Sequence, residues 1–239
     1  MAETYRLAPL DLATLTPEQR AVADAIMSGP RGGLRGPFEP WLRSPVLADR
    51  AQKLGEYCRF SNSLPKDLSE LAILLTGKHF RAQFEFWAHA RLAQQAGLPD
   101  DIIEAVRLGK TPRFRRDVER AIYDTVTEYF ATNRVSNATY KRAIATLGEQ
   151  GLVDLVGVVG YYSLVSITLN VFQMELPPGE KPPLAAPRAR KAAARKPAAK
   201  KAPAARKAPA ARKAPAAKKA AARKTAPARK KAAAKKKRR

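Results

Sequence analysis

Apolar residues in the first 180 positions recur every three or four residues, and alternation of apolar with polar positions is almost absent. This spacing is typical of helices that bury one face. The run Thr16–Gln19 has a threonine N-cap, a proline and the glutamine of a capping box, so it predicts a helix that ends near Ser28. The glycines and prolines of Gly29–Pro45 predict a loop.

Further helix starts are marked by prolines and capping residues. They are Ser44-Pro45, Leu64-Pro65, Pro99-Asp100, Thr111-Pro112 and Ser136. A helix through His79–Ala93 is expected to stop at Gly97, and a long apolar helix over about Leu152–Met174 comes last. The pattern therefore predicts an all-α domain of about eight helices with short connections.

The most apolar stretch of the chain is Leu155–Leu169. Its length falls short of the roughly 20 residues that a bilayer requires, and its glycines and serines favour close helix packing. We therefore expect a buried helix, in the core or at a subunit interface, and no membrane span. The N-terminal residues include acids and no apolar run, so no signal peptide is expected. We also expect a cytoplasmic location.

Charge divides the chain into two parts. All 21 acidic residues precede Lys181, whereas more than half of the 45 Lys and Arg residues follow Glu180, so the net charge of +24 is carried by the end of the chain. Residues 1–180 are near neutral and long enough for one domain with a sizeable core. Residues 181–239 repeat Ala, Pro and paired basic residues without any aromatic residue, which predicts a disordered tail.

The tail resembles the Lys/Ala/Pro-rich tails of linker histones and of some bacterial histone-like proteins. We expect it to bind DNA through phosphates without reading bases, which would make the protein nucleoid-associated. The alternatives to DNA are another polyanion, an anionic membrane surface, or no partner at all. The candidate nucleic-acid contacts are Lys191, Lys196, Lys201, Lys207, Lys213, Lys219, Lys224, Lys230 and Lys236.

Both histidines of the chain lie in His79–Ala93. Glu85 and His89 are four residues apart and share one helix face. A carboxylate beside an imidazole stabilises the imidazolium and suits general acid–base chemistry, and Trp87 could provide an apolar wall. A solvent-exposed Glu–His pair is the alternative interpretation.

Cationic residues near these histidines are candidates for binding an anionic organic substrate. His79 is expected at a junction between two helices, with Arg81 beside it, and Arg43 in the Gly/Pro loop is a weaker candidate. A metal site is disfavoured because the HExxH pairing is absent, and no cofactor is expected. The single cysteine, Cys58, rules out a CxxC motif, and we expect a buried structural thiol.

Four segments together resemble, in the same order, the carboxymuconolactone decarboxylase family, within the superfamily that also holds the AhpD-like alkyl hydroperoxide reductases. The segments are Gly29–Arg50, Leu64–Leu98, Asp101–Pro112 and Asp154–Gly179. The resemblance implies an all-helical fold that assembles into trimers or hexamers, with the active site near subunit contacts.

The peroxidase branch of that superfamily uses a glutamate, a CxxC motif twelve residues on, and a histidine four residues after the second cysteine. In this sequence the glutamate falls on Glu70, the cysteines on Ala82 and Glu85, and the histidine on His89. The ends of the proton relay are present and the thiols are not.

The resemblance therefore implies a cofactor-independent acid–base enzyme that decarboxylates a small carboxylated lactone or a related acid. His89 would be the general acid or base, Glu85 its partner or a second acid, and Glu70 the residue that orients it. The alternatives are a nucleic-acid-associated oligomer with a degenerate helical domain, and a peroxidase-superfamily member without the usual cysteines.

Overall fold

The computed structural model describes residues 6–185 of the 239. These residues form eight α-helices and no strand, so the predicted all-α class is confirmed. Of the predicted disordered tail, residues 186–239, which include all nine candidate lysines, lie outside the described residues. The helices are α1 (Pro17–Ser28), α2 (Phe38–Leu42), α3 (Pro45–Glu56), α4 (Lys66–Phe80), α5 (Gln83–Gln95), α6 (Asp100–Leu108), α7 (Asp117–Thr132) and α8 (Asn137–Val171).

Capping residues place most helix starts where the sequence predicts them. Thr16 and Gln19 form the predicted capping box of α1, and the Ser136 hydroxyl accepts the backbone N–H of Thr139 at the start of α8. Such caps satisfy backbone groups that have no partner in the first turn of a helix.

Two parts of the chain differ from the prediction. The Gly29–Pro45 loop contains α2, which forms because this short turn buries Phe38, Trp41 and Leu42. No helix starts at Thr111-Pro112. Helix α7 begins at Asp117 instead. The Glu119 carboxylate accepts the backbone N–H groups of the two residues before α7 and so fixes its first turn.

The long apolar helix α8 is interrupted at Gly148, whose φ of 70° and ψ of 179° are not helical. The expected last helix is therefore the second part of α8. The most apolar 18-residue stretch of α8 has a mean hydropathy of 1.8, so the helix is long and apolar enough to cross a membrane. Within the fold, 56% of that stretch is buried. The helix packs against α4 and α7, as a core helix does.

Helix α4 lies at the centre of the core. Its residues from Leu68 to Gly77 are all buried, and α5, α7 and α8 pack around it. A helix surrounded in this way is apolar on every side. Glu70 is the one ionisable side chain within this buried stretch, and its position therefore needs a buried partner.

Residues 176–185 form a C-terminal strap on the helical surface. The Gln83 side-chain amide donates to the Leu184 carbonyl and accepts the Leu184 N–H, both at 2.9 Å. Arg107 donates to the Pro183 carbonyl at 3.0 Å, and Leu184 is only 3% exposed. The packed chain therefore continues past Glu180, because the strap contributes a core residue to the fold.

Candidate acid–base site

The centre of the site is a buried trio, defined here as Glu70, His89 and Glu85. Nδ1 of His89 donates to Oε2 of Glu70 at 2.7 Å, and Nε2 of His89 lies 3.1 Å from Oε1 of Glu85. The three residues are between 4% and 5% exposed. The second contact is short but poorly aligned, so Oε1 of Glu85 is buried without a hydrogen-bond partner among the described residues.

A tight reversal between α4 and α5 brings the trio together. Arg81 caps α4 in the left-handed region with φ 53°, and the chain turns back so that α5 packs against α4. Glu85 and His89 then face α4 one turn apart, opposite Glu70. Gly77 lies beside this reversal, and a Cβ there would be in van der Waals contact with Cγ of Glu85 at 3.4 Å.

Burial and mutual charge shift the proton affinities of the trio. Burial raises the pKa of Glu85 and the charge of Glu70 adds to this rise, whereas His89, Arg59 and Arg31 oppose it. Burial lowers the pKa of His89, but the charges of Glu70 and Glu85 and the hydrogen bond to Glu70 outweigh it, so the pKa of His89 is raised overall. Both groups therefore hold protons to higher pH than in water.

A cavity of about 340 Å³ opens onto Glu85 and His89. Its apolar walls include Phe84, Trp87 and Tyr161. The Tyr162 ring meets the His89 ring edge-on at 4.9 Å, and burial raises the pKa of Tyr162 so that it stays a neutral phenol. The cavity also carries four arginines, which are Arg31, Arg35, Arg59 and Arg91.

The structure brings together four of the residues predicted for the site: Glu70, Glu85 and His89 form the trio, and Trp87 lines the cavity. It does not bring the predicted anion-binding residues there. His79 lies outside the cavity because the last turn of α4 faces α7, and Arg81 and Arg43 do not line the cavity either.

His79 stacks on Phe130 of α7 at 4.0 Å, in a separate depression of about 290 Å³, and burial lowers its pKa. Arg81 is exposed at the end of α4. Arg43 donates to the carbonyls of Glu39 and Ala8 and so fixes the N-terminal segment instead of a ligand.

The four cavity arginines were not recognised from the sequence. Arg31 and Arg35 lie in the Gly/Pro loop, where their spacing around several glycines is the only local signal. Arg59 lies in a π-helical turn, Tyr57–Ser61, that extends α3. An ordinary helical pattern could not have indicated the direction of its side chain.

Cys58 is 1% exposed, and burial, with a smaller contribution from Asp154, raises the pKa of its thiol to about 11. It does not line the cavity. A thiol in this state is a poor nucleophile, because the thiolate is the reactive form. Between residues 6 and 185, no group of three or more His, Cys, Asp or Glu side chains is placed to hold a metal ion.

Comparison with known proteins identifies the fold. No family model and no curated protein matches the chain. Among solved structures, an uncharacterised peroxidase-related protein with an AhpD core, from Ralstonia eutropha, has a TM-score of 0.62 at 14% identity, over 74% of this chain and 95% of that one. A peroxidase-related protein from a Silicibacter species has a TM-score of 0.59 at 12% identity, over 73% and 92%.

The debrominase Bmp8 in its apo form has a TM-score of 0.60 at 13% identity, over 76% of this chain and 95% of that one. A cysteine-to-alanine variant of Bmp8 bound to 2,3,4-tribromopyrrole matches with the same TM-score of 0.60, at 12% identity. The described part of the chain therefore has the AhpD-like fold.

Proposed function

We propose that the helical domain is a cofactor-independent acid–base enzyme that decarboxylates a small carboxylated lactone or a related organic acid. The observation that carries the proposal is the Glu85 carboxyl, which is buried in the cavity wall beside His89 and has an unpaired oxygen. An unpaired buried polar atom lowers the stability of the fold, and a catalytic role is one reason for such an atom to persist. Structural neighbours that are named as peroxidase-related proteins have the same fold, and they support an enzymatic role for it.

The trio can supply the proton that decarboxylation needs. When the bond to the departing carboxylate breaks, CO2 leaves and its electron pair stays on carbon, where a conjugated carbonyl delocalises it. That carbon must then be protonated. Glu85, whose pKa is raised, donates the proton, and His89 returns one to Glu85 while Glu70 holds the imidazole in place. A proton from solvent then restores His89, so each turnover consumes one proton and releases one CO2. Glu85 thus takes the donor role that the sequence favoured for His89, because both ring nitrogens of His89 already face carboxylates.

The size and lining of the cavity support a ring-sized anionic substrate. The aromatic walls lower the polarity of the surroundings, which strengthens the electrostatic interactions inside. The Bmp8 complex is one case of this fold binding a small ring compound. A dithiol peroxidase is the weaker candidate, because Ala82 and Glu85 stand at the cysteine positions and Cys58 is buried elsewhere.

The test is turnover of a panel of carboxylated lactones, followed by proton NMR in D2O for loss of CO2 and deuterium incorporation. Glu85→Gln should reduce the rate by about 100-fold or more, because general acid catalysis contributes that much. Glu149→Gln, at an exposed glutamate that does not line the cavity, is the matched control and should leave the rate unchanged. Equal rates in both variants would reject the assignment.

A second role is favoured by the separation of charge along the chain. Residues 181–239 hold more than half of the basic residues and no acid, so we propose that this tail binds DNA phosphates without sequence preference. Several tails on one assembly would strengthen the binding by avidity.

We also propose that the chain forms a homo-oligomer, as a trimer or hexamer. Exposed apolar side chains on α3 and α8 support this, since Val46 and Val153 are 75% and 69% exposed and α3 packs against α8. Large exposed apolar surfaces are typical of subunit contacts. Light scattering after size-exclusion chromatography measures the mass, and a monomer at micromolar concentration would contradict the proposal.

A further inference from the structure

The C-terminal strap runs antiparallel to α5 and is held on it at two points. Gln83 holds the backbone of Leu184, and Nη2 of Arg91 lies 2.5 Å from Oε1 of Glu180. The rise of an α-helix places Gln83 and Arg91 about 12 Å apart along α5. Four residues of extended chain cover about the same distance. The strap therefore lies along α5 between these two points.

Trp87 lies midway between the two points and also lines the cavity. The Arg91 guanidinium lies 4.5 Å from the centre of the Trp87 ring, and Arg91 is itself part of the cavity wall. The hydrogen bond from Arg91, together with a weaker and poorly aligned contact from Trp87, lowers the pKa of Glu180, so this carboxylate is ionised. We call the contact of Glu180 with Arg91 and Trp87 the strap contact. It connects the strap to the cavity wall.

The ion pair of the strap contact is open to solvent. The side chains of Arg91 and Glu180 are 54% and 33% exposed. Ion pairs with this exposure contribute little to stability, because water and salt screen the two charges. The guanidinium fork of arginine binds phosphate oxygens as well as carboxylate oxygens. A phosphate group that reaches Arg91 can therefore replace the Glu180 carboxylate.

The basic part of the chain begins at the residue after Glu180. Lys181 is exposed, and the sequence from Lys181 to Arg239 contains no acid, so Glu180 is the last acidic residue of the chain. A polyanion that binds the tail is attracted by Arg91 and repelled by Glu180. Because the tail is joined to the strap, binding to the tail also raises the local concentration of phosphates at the strap contact.

We propose that Arg91, Lys181 and the basic tail form one DNA-binding surface, on which a DNA phosphate replaces Glu180 at Arg91. This inference rests on the proposed binding of DNA by the tail, and it adds a contact on the helical domain. When Glu180 leaves Arg91, the strap is released at this point while its other end stays docked on α5. The surroundings of Trp87 change at the same time, so DNA binding alters the wall of the cavity.

The test is titration of the full chain with a short labelled DNA duplex of scrambled sequence. The anisotropy of the label measures binding, and tryptophan emission reports the surroundings of Trp87. In the wild type the emission should change in step with the anisotropy, and Trp87→Phe should remove this change, because Trp41 is buried in the core. Glu180→Gln should show the emission of the DNA-bound wild type before any DNA is added. It should also bind DNA about two- to fivefold more tightly, because the competing carboxylate is gone.

Arg91→Gln tests the phosphate contact itself. It should reduce the slope of log K against log salt by about 1, because each phosphate contact contributes about that much. Arg91→Lys should keep the wild-type slope because it keeps the charge, and it covers the case in which the glutamine variant does not fold. The control is Arg134→Gln, which removes an equal charge from an exposed position between α7 and α8 and should change neither the slope nor the emission.

The two signals separate this inference from the proposed function. If the anisotropy does not rise with the wild type, the proposed DNA binding is wrong and this inference fails with it. If the anisotropy rises while the emission stays constant, the inference alone is overturned and DNA binding by the tail stands. The same conclusion follows if Arg91→Gln keeps the wild-type slope, or if Glu180→Gln without DNA has the emission of the free wild type.

Discussion

Replacing Glu85 by glutamine should make the stability of the protein less dependent on pH. The substitution keeps the size of the side chain and removes its ability to ionise. Glu85 is 4% exposed, and burial is the largest cause that raises its pKa above the ordinary value of 4.5. A carboxyl group with a raised pKa in the folded state stabilises the fold below pH 4.5, and this contribution is lost as the pH rises through the folded-state pKa.

The magnitude follows from linkage. Each unit by which the folded-state pKa is raised corresponds to about 1.4 kcal/mol of stability that the wild type loses as the pH rises. In a domain of about 180 residues, 1 kcal/mol changes Tm by about 2–4 °C. The two proteins should therefore have similar Tm values near pH 4.5, and the glutamine variant should become the more stable of the two by about 3–6 °C for each unit of raised pKa.

The assay is thermal unfolding followed by circular dichroism between pH 4.5 and pH 8.5, with Glu149→Gln as the exposed control. The Tm difference between Glu85→Gln and the wild type should grow with pH and then level off, while the control shows a flat difference. A difference that stays constant, or a wild type that gains stability over the variant as the pH rises, would refute the reasoning about the buried carboxyl.

Three further predictions concern other parts of the molecule. Asp154→Ala leaves the Tyr57 hydroxyl and the Ser63 N–H without their acceptor, so it should lower the free energy of unfolding by about 3 kcal/mol in urea titrations, whereas the exposed Asp24→Ala should change it little. The Cys58 thiol, with a pKa of about 11, should resist Ellman's reagent until the protein unfolds. Dithiol-dependent peroxide consumption should be absent, and robust consumption that survives Cys58→Ser would contradict that expectation. DNA binding should weaken with salt, with a slope of log K against log salt of about −7 if about a third of the tail cations contact phosphates. Truncation after Ala185 should abolish the binding, and a flat salt response would rule out binding through phosphates.

Local signals in the sequence were sufficient for most of the helices and for part of the site. Caps and prolines predicted the starts of α1, α3 and α8, since these groups act within one turn of their own backbone. The spacing of Glu85 and His89 predicted their contact for the same reason. Glu70 lies nineteen residues before His89, and only the resemblance to a known family pointed to it.

The remaining features depend on contacts between distant parts of the chain. The π-helical turn that presents Arg59 is held by Asp154, which is 91 residues from its hydrogen-bond partner Ser63. His79 faces Phe130 because α4 packs against α7, which its own sequence does not indicate. Leu184 belongs to the core although its neighbours resemble the basic tail. No pattern within one helix contains this information.

The protonation state of Glu85 tests the central claim most directly. Infrared difference spectroscopy of the wild type against Glu85→Gln, recorded at pH 7, isolates the carboxyl group of this one residue. We expect the C=O stretch of a protonated carboxylic acid in the wild type, absent from Glu85→Gln and present in Glu149→Gln. A difference spectrum that shows only the stretches of an ionised carboxylate would contradict Glu85 as the proton donor of the site.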